Sequence, residues 1–257
     1  MKKYILTLTL LFFCFGFSSP HRGIIARKND TYTPPTCTTT NITFWWRCEA
    51  LDFSATDGTL DYSAGDNIAD AYSGAAINTA AVKIGTNGLD IPTVYDYVDF
   101  AVSLEDIVSS AEGRIGFWWR YTTWGDDAGI IRVTDSSPIF EIELNLTASD
   151  ELEFKWYDNG TQRTTLTSSS SPLPSSGTWY FIEMAWKAST AYREIFVNGI
   201  SAGTSSATIA NASVSVNLFQ IGETNSVAVD YHTDQIFISS SSTDNLYPCR
   251  DETEWPE

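Results

Sequence analysis

Histidine, methionine and positive charge are what this 257-residue chain has least of: two His, two Met, and 15 Lys plus Arg against 32 Asp plus Glu. The resulting formal charge of −17 argues against nucleic acid as a partner, because a phosphate backbone would be repelled. His21 and His232, set among separated cysteines, lack the ligand spacing of a zinc site. There is no Gly-Lys-Ser/Thr loop to cradle phosphate and no dinucleotide fingerprint. No Ser, His and Asp arrangement stands out as a nucleophilic triad. Past the N-terminus, no stretch repeats apolar residues at helical spacing. That absence, with aromatics at 14% and abundant Ser, Thr, Val and Ile, predicts an all-β fold. The length suits one large domain with a sizeable core.

The one long apolar run is MKKYILTLTLLFFCFGFSS at the start. Lys2 and Lys3 ahead of an apolar stretch of leader length predict a signal peptide over residues 1–19. The run is short for a spanning helix, so a secreted or cell-surface location is expected, with no stable membrane insertion after cleavage. Residues 20–40, with Pro34-Pro35 and the basic Arg22, Arg27 and Lys28, show no alternation and read as a linker. Residues 41–257 make up the folded domain, closing in an acidic tail from Asp244.

Period-2 patterning is strongest between Gly177 and Gly203. Tyr180, Ile182, Met184 and Trp186 share one face, and Trp179, Phe181 and Ala185 the other, so both faces are apolar and the strand is predicted to be central. Asn198-Gly199 supplies the positive φ angles of a tight turn. A first strand is predicted over Ile42 to Glu49, with Phe44, Trp46 and Cys48 against Trp45, Arg47 and Glu49. Gly113 to Trp124 sets Ile115, Phe117, Trp119 and Tyr121 against Trp118 and Arg120. Ile139 to Leu146 and Leu152 to Tyr157 read as a hairpin. Pairing Leu146 with Leu152 places Glu143 opposite Lys155 and Glu141 opposite Tyr157. Asp52 to Asp70 reads as a long surface loop.

The strings TWYFIEMAWK, EIFVNG, LFQIG and DQIFIS, in that order, resemble the strand core of laminin-G-like domains in the concanavalin A-like lectin and glucanase superfamily. AAVKIGTNGLDIPTVYDYVDFAV and GRIGFWWRYTTW extend the resemblance upstream. It implies a two-sheet antiparallel β-sandwich of jelly-roll type, in which the first and last strands are neighbours. A disulfide between Cys48 and Cys249 follows from that neighbourhood, with Cys37 to Cys249 as the alternative and one cysteine left over. In resembling domains the Asp matching Asp234 is structural or helps hold Ca²⁺ near the terminal strands. Asp234 shares parity with Ile236 and Ile238 and is expected on the core side. There it would accept backbone N–H bonds or, with Glu49 and the 52–70 loop, hold a structural calcium ion.

Laminarinase-type members of the superfamily carry two catalytic glutamates flanking an aspartate, E-x-D-x-(x)-E. Here the string is FEIELN, without the Asp or a third acid, so Glu141 and Glu143 are expected on a solvated strand face. The expected activity is non-catalytic binding of a glycan or surface polysaccharide. Sugar rings stack on aromatic planes while carboxylates take their hydroxyls. Those requirements nominate Trp118, Trp124, Asp126, Asp127, Trp156 and Tyr157, although Trp156 follows the core parity of Leu152 and Phe154. Trp179 and Trp186 are read as core. An adhesion protein that binds protein partners or itself is the alternative, and a glycoside hydrolase or polysaccharide lyase is the third reading. Sequons at Asn29, Asn41, Asn145, Asn159 and Asn211 would accept N-glycans in a eukaryotic host.

Overall fold

The computed structural model describes residues 41–46, 48, 69–72, 74–93, 95–100, 109–124, 128–135, 140–158, 161–168, 175–207, 216, 218–222 and 229–250. All of them lie in the unit Pro35–Glu257, which begins after a division of the chain at Pro34. The expected signal peptide, the linker and most of the 52–70 loop lie outside them. The described residues form fifteen strands in two antiparallel sheets, as the alternation and the resemblance imply.

The first sheet runs in the order β13 (Ile200–Ser205), β12 (Tyr192–Val197), β11 (Tyr180–Lys187), β6 (Glu112–Trp124), β15 (Val229–Ser239), β4 (Gly88–Ile91) and β3 (Ala76–Asn78). The short β1 (Ile42–Trp46) pairs with the far half of β15. The second sheet runs β10 (Thr161–Thr167), β9 (Leu152–Asp158), β8 (Phe140–Leu146), β7 (Ala128–Thr134), β14 (Leu218–Gly222), β5 (Tyr97–Phe100) and β2 (Ala69–Tyr72). The strand predicted to be central, β11, lies between β6 and β12. Its hairpin with β12 continues into β13 through Asn198 at φ 52° and Gly199 at φ 75°, the left-handed pair that a two-residue turn requires. The register of β8 with β9 is the predicted one, Glu143 opposite Lys155 and Glu141 opposite Tyr157.

One parity of every long strand builds the core between the sheets. Phe44, Trp46, Ile115, Phe117, Trp119, Ile182, Met184 and Trp186 from the first sheet meet Val98, Phe100, Ile142, Leu144, Phe154, Trp156 and Phe219 from the second. Phe100 is the hub of the aromatic contacts, with Phe44, Trp46 and Phe219 at ring-centroid separations of 5.4, 5.2 and 5.2 Å. Such pairs add to the area term that drives burial.

The first sheet buries its other face as well. Ile42, Trp45, Trp118, Phe181 and Phe237 form a second cluster closed over by Leu246 and Cys249. Residues 246–250 are thus packed cover over this face. The Leu246 N–H donates to Glu183 at 3.1 Å, and the Trp118 indole N–H donates to the Arg250 carbonyl at 2.8 Å. Glu183 is wholly buried and pairs with Arg114 at 2.8 Å. Burial pushes the Glu183 carboxyl up from its ordinary value, against the lowering effect of Arg114. A buried pair of this kind contributes little net stability, but leaving one partner alone costs about 3–5 kcal/mol, so it fixes where the segment docks.

Two expectations are corrected here. Cys48 lies in the core between the sheets whereas Cys249 lies in the cluster on the outer face, so the first sheet separates them and Cys48 takes no part in a disulfide. The alternative partner, Cys37, lies outside the described residues. Asp234 is fully buried, yet not on the core side. It stands opposite Trp118 of the outer cluster, and the register between β15 and β6 shifts between Asp234 and Phe237. Gln235, at φ 50°, is the bulge residue that reverses the parity, which counting residues along the strand does not reveal. The Asp234 carboxylate accepts from the backbone N–H groups of Lys83 and Ile84 on one oxygen and of Gln235 on the other, each at 2.8 Å. An Asn at this position would aim an NH₂ at donors it cannot accept from. Asp234→Asn should therefore lose at least about 2 kcal/mol in urea unfolding, and a midpoint equal to that of the parent would contradict the clamp.

Candidate functional site

The outer side of the first sheet is largely covered by apolar packing, whereas the outward side of the second sheet is polar. Its outward residues line up across the strands because antiparallel pairing puts opposed residues on one side. Thr165 of β10 faces Lys155 of β9, Lys155 faces Glu143 of β8, Glu143 faces Arg132 of β7, Arg132 faces Gln220 of β14, and Gln220 faces Asp99 of β5. Six strands thus contribute one unbroken polar row. A second row sets Gln162, Tyr157, Glu141 and Thr134 beside it. Glu141, Lys155, Gln220, Asn145 and Thr134 are each under 10% exposed although they face away from the core. Parity turns them outwards, but they carry little exposed surface, and Glu143, Arg132 and Tyr157 are half-buried members of the face. At the β9–β10 end it opens into a cleft of about 640 Å³ lined by Thr147, Ser149, Glu151, Glu153, Lys155, Gln162, Thr165 and Thr167.

Hydrogen bonds connect the rows. Arg132 donates to Glu141 at 2.9 Å and lies 3.9 Å from Glu143. The Tyr157 hydroxyl donates to Glu143 at 3.2 Å, and the Gln220 amide donates to Asp99 at 2.8 Å. Burial pushes the Glu141 carboxyl up, but hydrogen bonding with Glu143, Arg132 and Thr134 and the Arg132 charge outweigh it and hold the group below its usual range. A glycosidase acid needs the opposite, a carboxyl held protonated near neutrality. The two glutamates therefore suit hydrogen-bond acceptance better than proton donation.

A smaller cluster survives on the outer face of the first sheet. Arg120 of β6 donates through Nε at 3.2 Å and Nη2 at 2.8 Å to Nδ1 of His232 on β15. Its guanidinium also reaches the Ala80 carbonyl at 2.9 Å and lies 4.9 Å from the Trp179 ring centre. His232 Nε2 lies 3.3 Å from Asp90, whose other oxygen accepts from Asn78 at 2.6 Å. Asp90, Asp230 and His232 bring one ligand atom each within 4.8 Å of one another, the geometry of a metal site. The donor set does not fit one. Arginine can only donate, so Nδ1 must carry the lone pair and Nε2 the proton, whereas a metal-bound imidazole donates its second N–H to an acceptor. Asp234 fits a cation no better, because backbone N–H groups already address both of its oxygens. Glu49, its proposed companion, lies outside the described residues.

The predicted ligand-binding residues separate. Trp118 is buried beneath the 246–250 cover, with the Lys83 ammonium 4.5 Å from its ring centre. Trp156 is wholly buried between the sheets, as its parity foretold. Trp124 ends β6 with its side chain outside the described residues, where Asp126 and Asp127 also lie. Of those with described side chains, Tyr157 stands half-buried on the polar face. Trp186 is core as expected, but Trp179 is half-buried on the outer side beside Arg120. Asn145, at 4% exposed, is a sequon no glycan-transferring enzyme would reach in the folded chain. Arg132, Gln220 and Asp99 were missed because their alignment with Glu143 depends on pairings between strands distant in sequence.

Two antiparallel sheets packed face to face over one aromatic core, the second with a polar outward side, define a β-sandwich. A family model of laminin G type, described as the concanavalin A-like lectin/glucanases superfamily, matches residues 93–236, more than half of the chain, and the chain belongs to that superfamily. No curated protein sequence matches the chain. Among solved structures, the receptor binding domain of botulinum neurotoxin C/D mosaic serotype superposes with a TM-score of 0.62 at 12% identity, covering 81% of this chain and 50% of that one. The botulinum neurotoxin serotype D ligand binding domain in complex with N-acetylneuraminic acid gives 0.62 at 13%, covering 80% and 49%. The binding domain of Paraclostridial Mosquitocidal Protein 1 gives 0.61 at 14%, covering 80% and 50%. At these identities the likeness concerns the fold, and the chain spans about half the length of each.

Burial, then the Arg120 charge, push His232 below its ordinary value of 6.5, against the raising effect of Asp90 and Asp230. A histidine depressed on folding stabilises the native state above its unfolded value, and that contribution is lost as pH falls from about 6.5 through the folded value. The melting temperature should therefore drop between pH 7.5 and 5. His232→Gln, which keeps an acceptor for Arg120 without titrating, should show a shallower drop. An unchanged slope would contradict the buried neutral imidazole.

Proposed function

We propose that this chain is an exported, non-catalytic carbohydrate-binding domain whose ligand lies on the outer face of the second sheet. The observation that carries the reading is the row Thr165, Lys155, Glu143, Arg132, Gln220 and Asp99, which sets alternating donors and acceptors across six strands. A saccharide presents hydroxyls at similarly close spacing and is held by carboxylates, amides and guanidinium groups together with an aromatic ring. Tyr157 supplies that ring at one end of the face, beside the cleft between β9 and β10. The superfamily membership and the sialic-acid complex named for one solved relative support the same reading. Lys2 and Lys3 with the apolar run after them support export, and in an oxidising compartment the pairing that remains for Cys249 is with Cys37. The ionised Glu141 and its lost catalytic spacing favour binding over hydrolysis.

A glycan array probed with the secreted protein tests this reading. Binding is expected to fall about 10- to 100-fold in Arg132→Ala and Tyr157→Phe/Arg132→Ala, with Trp179→Ala close to the parent. Reducing-end assays on the bound oligosaccharides should show no turnover. An array blank for the parent, or binding lost only in Trp179→Ala, would overturn the proposal.

A further inference from the structure

The two cations described on the polar face are already engaged by carboxylates. Arg132 donates to Glu141 at 2.9 Å and lies 3.9 Å from Glu143, and the Lys155 ammonium lies 3.7 Å from Glu153. Against these two cations stand the five carboxylates of Asp99, Glu141, Glu143, Glu151 and Glu153, which leaves the described face with a formal charge of −3. Glu151 has no cationic partner among the described residues. Glu151 and Glu153 share the outward parity of Lys155, and same-side neighbours on a strand stand about 7 Å apart. Both are half-buried and line the cleft of about 640 Å³ at the β9–β10 end. That volume is in the range of small-molecule sites, about 300–1,000 Å³, so the cleft has room for a ligand group. Beside the two acids, the Gln162 amide donates to the Thr165 hydroxyl at 2.6 Å, which leaves the amide oxygen and the hydroxyl proton to meet a ligand.

We propose that the saccharide held by this face is an amino-sugar glycan whose free ammonium group lies in the β9–β10 cleft against Glu151 and Glu153, and that acidic glycans are rejected. The proposal rests on the saccharide-binding reading above and names the sugar class. A hexuronate or sulfated sugar would bring its anion to a face whose cations are taken. Drawing Arg132 away to meet that anion would leave Glu141, 7% exposed, without its partner. A neutral sugar meets hydrogen-bonding groups only. An ammonium adds charge-assisted hydrogen bonds to the two cleft carboxylates, and the net charge of −17 draws a cationic saccharide towards the chain from a distance.

Isothermal titration of the full chain with three oligosaccharides of equal length tests this: β-1,4-linked glucosamine, its N-acetylated form and a hexuronic acid oligomer. N-acetylation keeps the ring and removes the charge. The deacetylated oligomer is expected to bind about 5- to 20-fold more tightly than the acetylated one, with the ratio shrinking as salt rises, and the hexuronate should show no binding. In Glu151→Gln/Glu153→Gln the two amino-sugar forms should bind within about twofold of each other. Equal or tighter binding of the acetylated or hexuronate oligomer, or a preference that survives the double substitution, would overturn the proposal. So would the absence of binding to all three while an array shows other glycans held, and in each of these cases the saccharide-binding reading stands. An array blank for the parent would overturn both.

Discussion

Everything on the first sheet depends on one buried carboxylate. Asp234 gathers three backbone N–H groups, and in doing so it holds the 83–84 turn against β15 and fixes the bulge at Gln235. The bulge reverses the parity of the longest shared ladder in the fold. Without it, Phe237 would face the inter-sheet core and Ile236 and Ile238 would face outwards. With it, Phe237 stacks on Trp45 in the outer cluster, and the Trp45 indole N–H donates to the side chain of Gln235 itself at 2.7 Å. An ionised group can stay buried here because its charge is spread over hydrogen bonds to the backbone.

That outer cluster determines which sheet face keeps a polar outward side among the described residues. Once Leu246 and Cys249 close over it, with Glu183 and Arg114 setting the position of the closing segment, apolar burial occupies both sides of the first sheet. The second sheet has no such cover among the described residues, and its outward side chains are polar along the whole row from Thr165 to Asp99. The Arg120, His232 and Asp90 cluster is different in kind, because its donors and acceptors are engaged with one another and it ties β4 and the turn before it to β6 and β15.

Much of this was legible in the chain. Strict alternation in Ile115 to Tyr121 and in Tyr180 to Trp186 determined which side chains enter the core, and the Leu146–Leu152 pairing was enough to set Glu143 against Lys155. What could not be read were effects of single irregular residues and of distant pairings. Gln235 carries no mark of a bulge, so Asp234 was assigned to the wrong side. Cys48 and Cys249 belong to neighbouring strands and segments, but neighbourhood does not say on which side of a sheet a sulfur points. Trp118 has the parity of an exposed residue and is buried only because residues 246–250 return over it. Tyr157 could be placed opposite Glu141 from the hairpin alone, whereas Arg132 and Gln220 join that face through β7 and β14, whose order in the sheet is not a property of either segment.

The central claim is that ligand meets the second sheet rather than the first. Backbone and side-chain NMR shifts followed during titration with a glycan that the protein binds would test it most directly. The account predicts that perturbed resonances map to Arg132, Glu143, Tyr157, Thr165 and Gln220, with Arg120, Trp179 and His232 unmoved. Perturbation confined to the Arg120 and His232 side, with the polar row silent, would contradict it.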